Sequence, residues 1–71
     1  MTKEFINEIQ KVANTYMTKL EKTAVTFAFN KLKAGTSTIQ TRKELEIVFR
    51  GVNHANIMYI ALELKDKQGL S

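Results

Sequence analysis

Hydrophobic residues recur every three or four positions in the first part of the chain and every second position after it. Phe5, Ile6, Ile9, Val12, Ala13, Tyr16, Met17 and Leu20 form one stripe, the pattern of a helix with one side on a core. The spacing predicts a helix over residues 3–21. Thr2 suits its N-cap. Glu4 lies near the positive end of the helix dipole, and Lys19 and Lys22 near the negative end.

After Lys22 the large apolar residues of Thr23-Ala24-Val25-Thr26-Phe27-Ala28-Phe29-Asn30 alternate, and β-branched and aromatic types are frequent. Leu45, Ile47 and Phe49 alternate in the next segment, as do Met58, Ile60, Leu62 and Leu64 further on. This predicts strands at about 23–31, 43–50 and 57–65, with a polar tail at 66–71. Opposing Phe49 to Met58 places Ile47 against Ile60 and Leu45 against Leu62, all on one face of a hairpin closed by Val52-Asn53-His54-Ala55. The first strand joins with Phe29 near Leu45, Phe27 near Ile47 and Val25 near Phe49. The expected fold is therefore α+β: an amphipathic helix on a three-stranded antiparallel sheet, αβββ.

An all-α reading competes. Gly51-Val52 followed by Ile57 and Ile60 has the spacing of a helix-turn-helix, and Leu64 with Gly69-Leu70 suits the end of a recognition helix. Two features oppose it. Ala55, Met58, Tyr59 and Leu62 occupy much of the face that should meet DNA. Arg50 stands where that motif prefers an apolar residue.

Seventy-one residues make one domain, and one this small is marginally stable alone. Self-association, most simply a homodimer, is the expectation. A hydrophobic share of 44% excludes a wholly disordered chain. There is no cysteine, hence no disulfide framework and no thiolate zinc site. The longest apolar run, Ile57-Met58-Tyr59-Ile60-Ala61-Leu62, falls far short of the roughly 20 residues of a membrane span. Met1-Thr2-Lys3-Glu4-Phe5 has no apolar signal region. A soluble cytoplasmic protein is expected.

The formal net charge is +4, and the imbalance lies in the middle. Residues 23–43 carry Lys31, Lys33, Arg42 and Lys43 and no acid, whereas the flanking segments nearly balance. A one-sign patch attracts anionic partners. On the sheet reading these cations flank the loop 31–43, where Gly35, Thr36, Ser37 and Thr38 add backbone N–H groups and hydroxyls suited to phosphates. Arg50 and His54 would add contacts from the other hairpin. Lys33-Ala34-Gly35-Thr36-Ser37-Thr38 lacks the second spaced glycine and the Gly-Lys-Ser/Thr ending of a phosphate loop.

The sheet's other face would be greasy at one end, around Val48, Ile57 and Tyr59, and charged at the other. Catalysis is not expected. His54 is the single histidine, and no serine or cysteine is close to it in sequence. One histidine does not seed a metal site. Glu44, Glu46 and Glu63 form an acid cluster more simply explained by pairing with nearby cations. No cofactor is implied.

Two functions follow. One is nucleic-acid binding, with Lys31, Lys33, Arg42, Lys43 and Arg50 on phosphates. The other is a small inhibitor or adaptor, of the size that phage and mobile elements encode, binding an acidic or nucleic-acid-binding protein through Val48, Ile57 and Tyr59.

Overall fold

The computed structural model describes residues 7, 9, 11–13 and 16–68. Among them every regular element is a helix and no strand occurs. Residues 7, 9 and 11–13 are helical, and three helices follow: α1 (Lys19–Lys33), α2 (Thr38–Val48) and α3 (His54–Lys67). The expected αβββ sheet is thus overturned, and the all-α alternative fits.

The expected single helix over 3–21 is also corrected. Residues 16–18 are not helical, and a new helix starts at Lys19. Its start is fixed by a capping box. Thr18 Oγ1 accepts from the Glu21 N–H at 3.2 Å, and Glu21 Oε1 accepts from the Thr18 N–H at 2.9 Å. Met17, just before this cap, is buried, as is Ile9.

The strand expected at 23–31 is the body of α1. Its buried residues are Ala24, Val25, Ala28, Phe29 and Leu32. That set follows one face of a helix and includes the two small alanines which an alternation of large residues passes over. Thr23 and Thr26 are tolerated because each hydroxyl donates to the carbonyl four residues back, Lys19 O and Lys22 O, both at 2.9 Å. The strand expected at 57–65 is most of α3, which buries Ile57, Met58, Ile60, Ala61 and Leu64. That face is broad enough to leave Tyr59 and Leu62 outside. The strand expected at 43–50 is the end of α2 and the turn after it. Leu45 is buried there while Ile47 is exposed, so the two do not share a face.

Helix α1 is the centre of the molecule and packs most extensively on α3, with α2 closing one side. α1 ends in a Schellman turn. The Gly35 N–H donates to Leu32 O at 3.1 Å and the Thr36 N–H to Lys31 O at 3.0 Å. Gly35 has φ +96°, a conformation that penalises any residue with a Cβ. Ser37 Oγ then caps α2 by accepting from the Gln40 N–H at 3.1 Å, and Asn53 Oδ1 caps α3 by accepting from the Asn56 N–H at 3.2 Å. No helix among the described residues is long and apolar enough to cross a membrane.

Candidate nucleic-acid interface

The basic segment 31–43 is not one loop. It comprises the last turn of α1, the short turn 34–37 and the first half of α2, and this divides the cations.

Lys31 is committed to the fold. Its Nζ lies 3.0 Å from Glu44 Oε1 on α2 and 5.7 Å from the centroid of the Phe27 ring. The side chain ties α1 to α2. Lys31 and Lys33 also occupy the last turn of α1, where positive charge complements the exposed carbonyls of a helix end. Lys33 is exposed. Arg42 pairs with Glu46 one turn along α2, Nε to Oε1 at 3.5 Å, with both side chains about half exposed. The acid cluster expected of Glu44, Glu46 and Glu63 is accordingly divided: Glu44 faces Lys31 and Glu46 faces Arg42.

Lys43 and Arg50 are brought together. They line one open groove with Glu46, Ile47 and His54. Both are exposed, and neither has an ion-pair partner among the described residues. Glu46 on the same lining is shared with Arg42, so the groove carries two cations against one acid that is paired outside it.

The turn that carries Arg50 is held on both sides. The Phe49 ring packs edge-on against Phe27, with centroids 5.5 Å apart and planes at 62°. His54, the first residue of α3, places Nε2 2.6 Å from Phe49 O. A carbonyl only accepts, so Nε2 carries the hydrogen. In the neutral ring Nδ1 is left as an acceptor, and in the charged ring as a second donor. The residues lining the groove carry no hydroxyl or thiol. What the arrangement offers chemically is two cations, Lys43 and Arg50, able to attract an anion, with a ring nitrogen at the groove's edge.

The residues expected at a protein interface are not all at the surface. Ile57 is 1% exposed and belongs to the core, so its place in a contact surface is withdrawn. Val48 and Tyr59 remain exposed but lie on different helices, at the end of α2 and on the outer side of α3. Among the described residues no group of three or more His, Asp or Glu side chains is arranged to hold a metal ion.

The link between Lys31 and Glu44 and the bond between His54 and Phe49 escape a reading of the sequence. Each depends on how successive helices fold back on one another. Nothing one-dimensional separates Lys31 from Lys33. No protein-family model matches the chain, and neither a curated protein nor a solved structure shows significant similarity to it.

Proposed function

We propose that this protein is a small, non-catalytic, cytoplasmic binding module that engages the phosphates of nucleic acid through Lys43 and Arg50. Lys33 and Arg42 are flanking cations. The observation that carries the reading is the pair of exposed cations on one groove, without ion-pair partners among the described residues, since helix stability does not require them. Phosphate contacts set affinity and register without reading bases.

The helix-turn-helix version of this function is disfavoured by charge. The outward side of α3 carries Tyr59, Glu63 and Asp66. A recognition helix with two acids on that side is repelled by the phosphates it must pass. Backbone-directed binding by α2 and the following turn has no such conflict.

The test is fluorescence anisotropy with labelled single- and double-stranded DNA and RNA at low salt. Lys43→Glu together with Arg50→Glu is expected to abolish binding with helicity unchanged by circular dichroism. Lys31→Gln, which breaks the tie to Glu44, is expected to lower stability and leave affinity within about twofold, consistent with a residue that makes no phosphate contact. Equal loss of affinity from both changes would place the ligand elsewhere.

Exposed Ile39 and Ile47 beside the same cations support a second reading, an inhibitor or adaptor that binds an acidic protein. Ile47→Ser separates the two, because it removes an apolar contact and leaves the charge unchanged.

A further inference from the structure

Two outward helix faces carry apolar side chains that the core does not use, and their charges are opposite. On α2, Ile39, Lys43 and Ile47 stand at four-residue spacing, one above another. Both isoleucines are at least 70% exposed, and Arg50 follows just beyond the helix. On α3, Tyr59, Leu62, Glu63 and Asp66 lie away from the buried set Ile57, Met58, Ile60, Ala61 and Leu64. Tyr59 is 59% exposed. Neither acid has an ion-pair partner among the described residues. With the Arg42–Glu46 pair beside it the first face is apolar and net positive, and with Lys67 one turn beyond Glu63 the second is apolar and net negative.

We infer that these two faces pair with each other between two copies of the chain. In a twofold arrangement α2 of each copy lies on α3 of the other. Lys43 and Arg50 then meet Glu63 and Asp66, and Ile39 and Ile47 pack beside Tyr59 and Leu62. Opposite charge fixes the register, and the apolar residues supply the attraction. Size supports the reciprocal form. A helix of 11 residues is about 16 Å long and about 10 Å wide, a small footprint against the roughly 800 Å² per partner of a stable interface. One stripe does not reach that area, and closed twofold symmetry uses two. The total surface of one copy is 4663 Å², so such an interface covers roughly a sixth of it.

The inference stands on the cationic face of α2 and not on the identity of its other ligand. If nucleic acid binds the same groove, the acids of a second copy compete with phosphate for Lys43 and Arg50. The dimer is then the closed form of the site.

Sedimentation velocity without nucleic acid tests this, using charge reversal on each face. One variant carries Lys43→Glu and Arg50→Glu, the other Glu63→Lys and Asp66→Lys. Circular dichroism checks that both stay helical. Wild type is expected to sediment as a dimer and each variant alone as a monomer. An equimolar mixture of the two variants is expected to return to a dimer, because one contact is then native and the other has both charges swapped. A monomeric wild type overturns the inference. So do variants that dimerise alone, a mixture that stays monomeric, and growth beyond the dimer with concentration. None of these results depends on whether nucleic acid binds. The anisotropy experiment above can fail without affecting them.

Discussion

At the scale of single residues, the least comfortable group is the hydroxyl of Thr41. The side chain is fully buried on the inner side of α2, and its Oγ1 has no hydrogen-bond partner among the described residues. Thr23 and Thr26 avoid this by donating to a carbonyl one turn back. A buried hydroxyl without a partner costs about 1–3 kcal/mol. Replacing it with a methyl group of similar shape removes that cost and keeps the packing. Thr41→Val is therefore expected to stabilise the protein by about 1 kcal/mol, read as a higher urea midpoint with an unchanged slope. A loss of stability would mean that the hydroxyl has a partner. The contrast between Lys31 and Lys43 belongs to this scale too. They are the same residue type in the same acid-free stretch, yet one is an internal tie and the other a free charge on a groove.

At the scale of elements, α1, α2 and α3 each start at a capping side chain. Thr18-Lys19-Leu20-Glu21, Ser37-Thr38-Ile39-Gln40 and Asn53-His54-Ala55-Asn56 each place a capping side chain three residues before the N–H it satisfies. The Thr18 box has a consequence for pH. The Thr18 N–H donates to the Glu21 carboxylate, and with the Thr18 side chain it holds the Glu21 pKa below its ordinary value. A carboxyl with a lowered folded-state pKa adds stability above its unfolded pKa and loses it as pH falls through the folded one. Wild type is thus expected to lose more stability than Glu21→Gln between neutral pH and pH values below the ordinary carboxylate range. Equal losses in parallel urea titrations would show that the box does not hold in solution.

Periodicity singles out none of these three caps, and Thr2, the N-cap expected from it, lies outside the described residues; the elements between the caps escape because alternation registers large residues alone. Val25, Phe27 and Phe29 alternate, but Ala24 and Ala28 are as deeply buried as Val25. Small apolar residues with high helix propensity turn the pattern into a helix face. In α2 the alternation of Leu45, Ile47 and Phe49 is real. It joins a core residue, an exposed one and one in the turn beyond the helix, and periodicity cannot separate those three fates. Of the candidate site, charge location was legible: Lys43 and Arg50 were both named from sequence. Which cations were already spent was not, because Lys31 and Glu44 meet only once α1 and α2 have packed.

At the scale of the whole molecule, α2 is the one of the three helices α1–α3 that the core holds least. It buries only Thr41 and Leu45, against five residues for each of α1 and α3. Leu45→Ala leaves α2 without its apolar anchor and is expected to cost about 2–5 kcal/mol, a large part of the stability of so small a domain. Amides of α2 are expected to exchange faster than those of α1 and α3 in the native protein, and the variant should widen that gap. Uniform protection across the three helices would contradict this order. The helix that carries Lys43 is also the most lightly held of the three, so on the proposed function a ligand that binds only the folded groove is expected to stabilise α2 by mass action.

The most direct test of the proposed phosphate site is the salt dependence of binding. Affinity for a labelled DNA duplex is measured over a range of salt concentrations, for wild type and for Lys43→Glu with Arg50→Glu. Two phosphate contacts predict a slope of log affinity against log salt near −2, from about −0.9 per neutralised phosphate, with no measurable binding in the charge-reversed protein. Absence of binding at low salt, or a slope that the two reversals leave unchanged, would contradict the groove as a phosphate site.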